Sequence, residues 1–292
     1  MDGLEWDDHP QQGWPQLRRP VLVAGFEGWN DAGDAASDAA GWLAERFGAT
    51  RIAHIDPEAH FDFQSRRPEV ELGAGVTRTI KWPTNECFAV RIETAGRDLV
   101  VLRGIEPHYR WRSFCRAVLS VADETGCEMV VTLGALLADV PHTRPPVITG
   151  AATDPELIEQ LGLTRSRYEG PTGIVGILHD ACRDAGVVSA SLWAPVPHYV
   201  ATPPNPVAMR ALLDRLGSLV GIPLELDDLD ELATAWRARV DEVVADDDEV
   251  RAYVSKLEER ADLQDLDEDD LPSGETLAAE FQRFLRDQRG ES

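Results

Sequence analysis

The amino-acid sequence predicts an α/β fold, and three observations carry that expectation. Residues 20–47 open with a short apolar run, Val21 to Ala24, pass through a turn broken by Gly25 and Gly28, and continue into a stretch carrying Trp42, Leu43 and Phe47 at helical spacing. A continuous apolar run of this length suits a strand buried on both faces, and Asn30 or Asp31 can cap the helix behind it. Similar runs recur at residues 129–133 and 189–194, with helical patterns between them. At 292 residues, with 43% hydrophobic and 27% charged side chains, the chain has the size and balance for one large domain or for a domain with an appendage. Strands alternating with helices place their ligand-binding turns at the carboxyl ends of the strands.

Residues 1–19 read as a polar lead-in to a core domain over 20–221. After the first helix, 51–55 is a second strand, closed by Asp56-Pro57. Residues 57–74 contain Phe61, Phe63 and Arg66-Arg67-Pro68 without a clean period and read as an excursion. The β-branched runs 76–81, 87–93 and 99–102 are three further strands. Pro107 suits the first position of a helix in which Phe114, Val118 and Val121 recur, ending at Thr125-Gly126. The strand at 129–133 leads into a loop that runs to Pro145. Asp154-Pro155 opens a short helix to Leu161, and Gly170-Pro171-Thr172-Gly173 precedes one holding Ile174, Ile177 and Leu178. The strand at 189–194 ends in Pro195-Val196-Pro197-His198-Tyr199. Asn205-Pro206 then caps a helix with Val207, Leu212, Leu213, Leu216 and Leu219 on one face.

The remainder changes character. Residues 222–262 read as an acidic helical hairpin in which Leu229, Leu232, Trp236, Val240 and Val243 step by three or four along one stripe. Asp246 and Glu249 resemble a capping box that restarts the helix. An acidic linker over 263–274 and an amphipathic helix over 275–290, with Leu277, Phe281, Phe284 and Leu285, follow. The stripe can pack on its own domain or on a second subunit, which makes its five residues candidates for an oligomer contact.

Charge narrows the partners. The formal net charge is −24, and residues 222–292 hold 23 acidic against 8 basic side chains. Such a surface repels phosphate backbones and anionic membranes, so neither nucleic acid nor membrane is expected as a partner. No apolar run approaches the roughly 18 residues of a membrane span. Cys87, Cys115, Cys127 and Cys182 form no Cys-x-x-Cys pair, so no thiolate metal site is expected and a reduced, cytoplasmic chain is.

Three constellations bear on chemistry. Gly25, Gly28 and Gly33 invite a phosphate reading, but their spacing is not that of a dinucleotide or P-loop fingerprint, and Glu27, Asp31 and Asp34 stand where phosphate would lie. A tight turn with close helix–strand packing explains them better. Gly28, Trp29, Asn30 and Asp31 remain candidates for ligand or interface contacts, Trp29 either packing inward or covering a pocket or subunit contact. Asp139, His142 and Arg144 share one loop after a strand, while Glu106, His108, His198 and Tyr199 follow others. Asp139, His142, Glu106 and His198 are therefore the candidates for acid–base catalysis, although the same groups can tie a rigid proline-flanked loop. No nucleophile elbow and no metal-spaced histidines accompany them, and no cofactor is expected. Thr172 can cap the helix after Gly173, and the free amides there can also take an anion.

Several of these stretches together resemble the proteasome assembly chaperone 2 family in its bacterial form. They are Gly25-Phe26-Glu27-Gly28-Trp29-Asn30-Asp31-Ala32-Gly33, Gly104-Ile105-Glu106-Pro107, the run from Leu133 through Asp139 and His142 to Pro145, Gly170-Pro171-Thr172-Gly173-Ile174, and the run from Ser191 to Tyr199. The resemblance spans about residues 20–220, in order. It implies a three-layer α/β/α sandwich of the phosphorylase/hydrolase-like group, a smaller C-terminal helical part, and homo-oligomers, trimers among bacterial members. It also implies a binding role, since eukaryotic and archaeal relatives handle proteasome subunits. Those that dock on proteasome rings use a C-terminal hydrophobic-Tyr-x tripeptide; this sequence ends Arg289-Gly290-Glu291-Ser292, so that route is not expected here.

Two functions are thus expected in competition. The first is a non-catalytic, homo-oligomeric assembly or protein-interaction factor, linked to the proteasome system. The alternative is a small-molecule hydrolase or phosphorylase working at the carboxyl-end rim of the sheet, where such folds keep their sites.

Overall fold

Strand β2 (Val21–Glu27) lies inside the sheet, and its side chains show why the run carries no polar interruption. Val21 and Val23 enter one core, whereas Leu22, Ala24 and Phe26 enter another on the opposite face. The fold is that of a computed structural model, which describes residues 3–7, 16–72, 78–154 and 170–264.

The strands in chain order are β1 (Leu4–Trp6), β2, β3 (Thr50–Ile55), β4 (Glu69–Leu72), β5 (Arg78–Lys81), β6 (Asn85–Val90), β7 (Leu99–Ile105), β8 (Met129–Ala138), β9 (Thr149–Ala152) and β10 (Ser189–Pro197). Eight of them form one mixed sheet in the order β1-β3-β6-β7-β2-β8-β10-β9, and β4 and β5 pair separately. The central strands β7, β2, β8 and β10 are parallel; β1, β3 and β6 on one side and β9 on the other run antiparallel to their neighbours. The α/β class is therefore as expected, with an antiparallel wing that the apolar runs alone do not distinguish.

Helices α1 (Ala35–Arg46) and α4 (Pro206–Val220) pack on the face holding Val21, Val23, Val131 and Leu192. Helices α2 (Trp111–Glu124) and α3 (Ile174–Ala185) cover the other face, with Phe114, Val118 and Leu178 against Leu22 and Leu102. The alanine-rich start of α1 has a steric cause. A Cβ on Gly25 would stand 2.3 Å from the Ala36 carbonyl oxygen, so strand and helix touch backbone to backbone. Asn205 caps α4, its Oδ1 accepting the Ala208 amide at 2.9 Å.

Helices α5 (Asp227–Ala245) and α6 (Asp248–Gln264) follow, with Trp236, Val240, Val244 and Val254 in a separate cluster that also takes Val207 of α4. The five stripe residues divide here. Leu229, Trp236 and Val240 are covered by the chain itself, while Leu232 and Val243 are 56% and 66% exposed. Steps of three and four drift around a helix, so Leu232 and Val243 fall on its flank.

Other boundaries shift for physical reasons. The polar lead-in contains β1, held at its ends by the Gly3 carbonyl accepting from the Asp56 amide and by the Asp7 amide donating to Ile52. Strands β8 and β10 run on to Ala138 and Pro197 because they pair with each other over that whole length. Helix α2 begins at Trp111, after Arg110 adopts a left-handed φ of 56°, and not at Pro107. Asp247, one residue later than expected, caps α6 by accepting the amides of Glu249 and Val250 at 2.9 and 3.2 Å. The excursion ends in a paired strand, β4. The helix expected at 154–161, most of the 263–274 linker and the helix at 275–290 lie outside the described residues.

Candidate functional site

The carboxyl ends of the parallel strands gather the predicted residues into two groups. The first surrounds the turn after β2. Gly28 has φ 131°, which favours glycine, and a Cβ there would come within 3.1 Å of the Glu106 Cβ. Glu106 follows β7, and its Oε1 accepts two hydrogen bonds, from Asn30 Nδ2 and from the Ile174 amide, both at 2.8 Å. The amino end of α3 thus already holds a negative charge, supplied by the protein itself. Gly173 is shut in as well, since a Cβ would lie 2.4 Å from the Asn30 side-chain amide. Thr172 is exposed and does not cap the helix; Gly173 occupies the cap position and makes no side-chain bond.

Asp31 turns the other way. Its carboxylate accepts the Ala36 amide at 2.6 Å and the Ser37 amide at 3.3 Å, capping the first turn of α1 across the short 3-10 turn at Ala32–Asp34. Burial pushes its acidity constant up to about 6, against the opposing pull of those hydrogen bonds. Asn30 is also buried, and its backbone carbonyl ties the turn to β8 by accepting the Ala135 amide at 2.8 Å. Trp29 is the exception in this group, at 63% exposed.

The second group joins the β8 and β10 ends to the helical pair. The Tyr199 hydroxyl accepts the His142 amide at 2.8 Å and lies 2.7 Å from His142 Nδ1. His142 Nε2 lies 3.0 Å from Asp241 Oδ1 on α5. An ionised carboxylate only accepts, so the contact with Asp241 is made by an Nε2–H donor, while Nδ1 and the Tyr199 hydroxyl share the second contact. Asp139 Oδ1 accepts from the Tyr253 hydroxyl of α6 at 3.0 Å and stands 3.0 Å from His198 Nδ1. Arg144 holds both oxygens of Asp262 at 2.7 and 2.8 Å, and the Thr143 hydroxyl donates to Glu258.

Asp139, His142, His198 and Tyr199 are therefore brought together, whereas Glu106 belongs to the other group. The carboxylate–histidine–hydroxyl row Asp241–His142–Tyr199 has the order of a nucleophile relay. Burial, however, pushes the Tyr199 hydroxyl up to about 12, which suits a hydrogen-bond bracket and not a nucleophile. His108 stands apart, its Nδ1 accepting the Asp62 amide at 2.8 Å.

The partners on α5 and α6 escaped the sequence reading. Glu258 and Asp262 are four residues apart, which places two carboxylates on one helix face and signals a basic partner. Nothing local marks Asp241 or Tyr253. Among the described residues, no group of three or more His, Cys, Asp or Glu is placed to hold a metal ion, and no helix is long and apolar enough to cross a membrane. A hollow of about 470 Å³ lies between Arg51, His54, Glu58, Lys81, Trp82 and Glu86, away from both groups.

Comparison with known proteins places this geometry. The sequence profile of the PAC2 family matches residues 25–244. No curated protein matches the chain. Among solved structures, a PAC2 family protein from Streptomyces avermitilis is similar at 52% identity and TM-score 0.76, covering 80% of this chain and 99% of that one. A proteasome-assembly chaperone homologue from Mycobacterium tuberculosis is 47% identical at TM-score 0.75, with the same coverages of 80% and 99%. An archaeal proteasome activator from Pyrococcus furiosus shares the fold at 18% identity and TM-score 0.67, over 83% of this chain and 99% of that one.

Proposed function

The chain belongs to the PAC2 family, and from that premise we propose that it is a non-catalytic, self-associating assembly factor whose protein partners belong to the proteasome system. It works in the cytoplasm as a homo-oligomer, a trimer in the form the resemblance implies. One observation carries this reading. The candidate acids and bases at the rim are engaged in joining one element to another: Glu106 holds Asn30 and Ile174, His142 joins Tyr199 to Asp241, and Asp139 takes Tyr253. The rim and its surroundings also expose apolar side chains, with Trp29 at 63%, Leu136 at 36% and Leu137 at 45%. The name of the Mycobacterium tuberculosis relative adds a proteasome-assembly role to the same fold.

Affinity purification of the tagged full chain from cell lysate, quantified against a tag-only control, tests the proteasome link. Enrichment of proteasome subunits is the expected result; their absence at equal bait recovery would refute it.

A further inference from the structure

The pair β4–β5 is unlike the rest of the molecule. Every residue of both strands is exposed, and the pair is separate from the eight-stranded sheet. Two strands alone are marginally stable in water unless a face is covered. Val70 stands directly opposite Ile80, Leu72 lies two residues along from Val70, and Trp82 two beyond Ile80. With a period of two, all four side chains share one face. They are 55%, 49%, 74% and 47% exposed in that order, and Phe63 stacks edge-on against Trp82 at 5.0 Å. Glu69, Glu71, Thr79 and Lys81 occupy the reverse face, with Lys81 3.4 Å from Glu71.

Charge says what covers the apolar face. Residues 66–82 hold four basic side chains against two acidic, in a chain of net charge −24. Residues 227–262 hold 13 acidic against five basic. The flank of α5 carries a second uncovered stripe, Leu232, Ala235 and Val243, with the exposed Arg239 among them and Asp228, Glu231, Glu242 and Asp246 along its border. Leu72 and Leu232 are 74% and 56% exposed in the same chain, so neither covers the other. The pair adjoins β3 and β6, with Lys81 and Trp82 beside Arg51 and His54, whereas α5 follows α4 over β10. Four strand spacings, about 19 Å, separate β6 from β10.

We infer that the β4–β5 arm of one copy docks on the α5 flank of a second copy, its apolar face on Leu232 and Val243 and its arginines, Arg67 and Arg78, toward the acidic border. The two surfaces are complementary to each other and not to themselves. The contact is therefore head-to-tail, and it closes a ring wherever the rotation permits. This inference rests on the self-association proposed above.

Leu72→Asp and Leu232→Asp each place a charge at an exposed position, so both variants fold, as circular dichroism and thermal melting verify. Sedimentation-equilibrium masses of the full chain and both variants then decide the matter. The wild type is expected to exceed the monomer mass, each variant to fall to the monomer, and an equimolar mixture to give a dimer and nothing larger. The dimer forms because the intact α5 of one variant accepts the intact arm of the other. A variant that keeps the wild-type mass overturns the docking while self-association stands. Two monomeric variants that do not recombine overturn the pairing of these two surfaces. A monomeric wild type overturns self-association itself.

Discussion

The Glu106 carboxylate occupies the amino end of α3, where its Oε1 accepts the Ile174 amide at 2.8 Å. A side chain from one strand end thus caps a helix 68 residues further on, while the same oxygen holds Asn30 in the turn after β2. Removing the carboxylate leaves a helix-end amide and a buried amide side chain without their acceptor. Glu106→Ala is expected to lower stability by about 1–3 kcal/mol, and Glu106→Gln by less, because the amide oxygen still accepts. Urea unfolding of both variants measures this; an unchanged midpoint for Glu106→Ala would contradict the capping role.

Tyr199 links the β8 loop to α5 through His142. Tyr199→Phe deletes the hydroxyl that both satisfies the His142 amide and fixes its ring. The loss is expected to cost about 1–3 kcal/mol. Hydrogen exchange is expected to quicken first in α5 and α6, since these helices are attached to the rim through this bracket. Equal protection in variant and wild type would show that the apolar cluster around Trp236 holds the helices unaided.

Asp31 gives the fold a pH dependence of definite sign. Its acidity constant is raised from 3.8 to about 6 by burial, so the native state binds its proton more tightly than the unfolded chain does. Its contribution to stability is complete below about pH 4 and is lost as the pH rises through about 6. Asp31→Asn keeps an acceptor for the Ala36 amide but cannot ionise. The stability of wild type relative to Asp31→Asn is expected to decline between about pH 4 and 7, as urea midpoints across that range would record. A difference that is flat or rises with pH would show that the amides of α1 outweigh burial.

The thiols are expected to be silent in the native state. Burial pushes Cys87 and Cys115 up to about 12, and Cys127 and Cys182 up to about 11. At pH 8 few thiolates are present. Labelling with a chromogenic disulfide reagent should be slow in buffer and rapid in denaturant; fast native labelling of Cys87 would disagree with its placement.

Much of this fold is legible in the sequence because its central strands are buried on both faces. The Val21-Leu22-Val23-Ala24 run could be nothing polar, and the alanines after Gly25 follow from backbone contact with a neighbouring strand. The weaker elements are those whose support comes from elsewhere. β1 is three residues long and is defined by its register with Ile55, which no local pattern announces. Strand β5 falls within the run read as a strand at 76–81, whereas β4, which has no core face, lies in the excursion directly after Arg66-Arg67-Pro68. Asp139, His142, Glu106 and His198 were read together because each follows a strand; Glu106 instead lies with Asn30 and Ile174. The partners Asp241 and Tyr253 were not legible, because those contacts span 99 and 114 residues and depend on how α5 and α6 fold back. Charge and hydrophobic stepping alone made the helical stripe look like a single face, whereas tertiary packing buries Trp236 and leaves Leu232 outside.

Sedimentation velocity of the purified full chain with purified proteasome α- and β-type subunits tests the assembly role most directly. The account predicts a faster-sedimenting complex containing both the chain and at least one of those subunits, with no catalytic turnover needed to form it. Separate boundaries at micromolar concentrations, with the chain folded and self-associated, would contradict it.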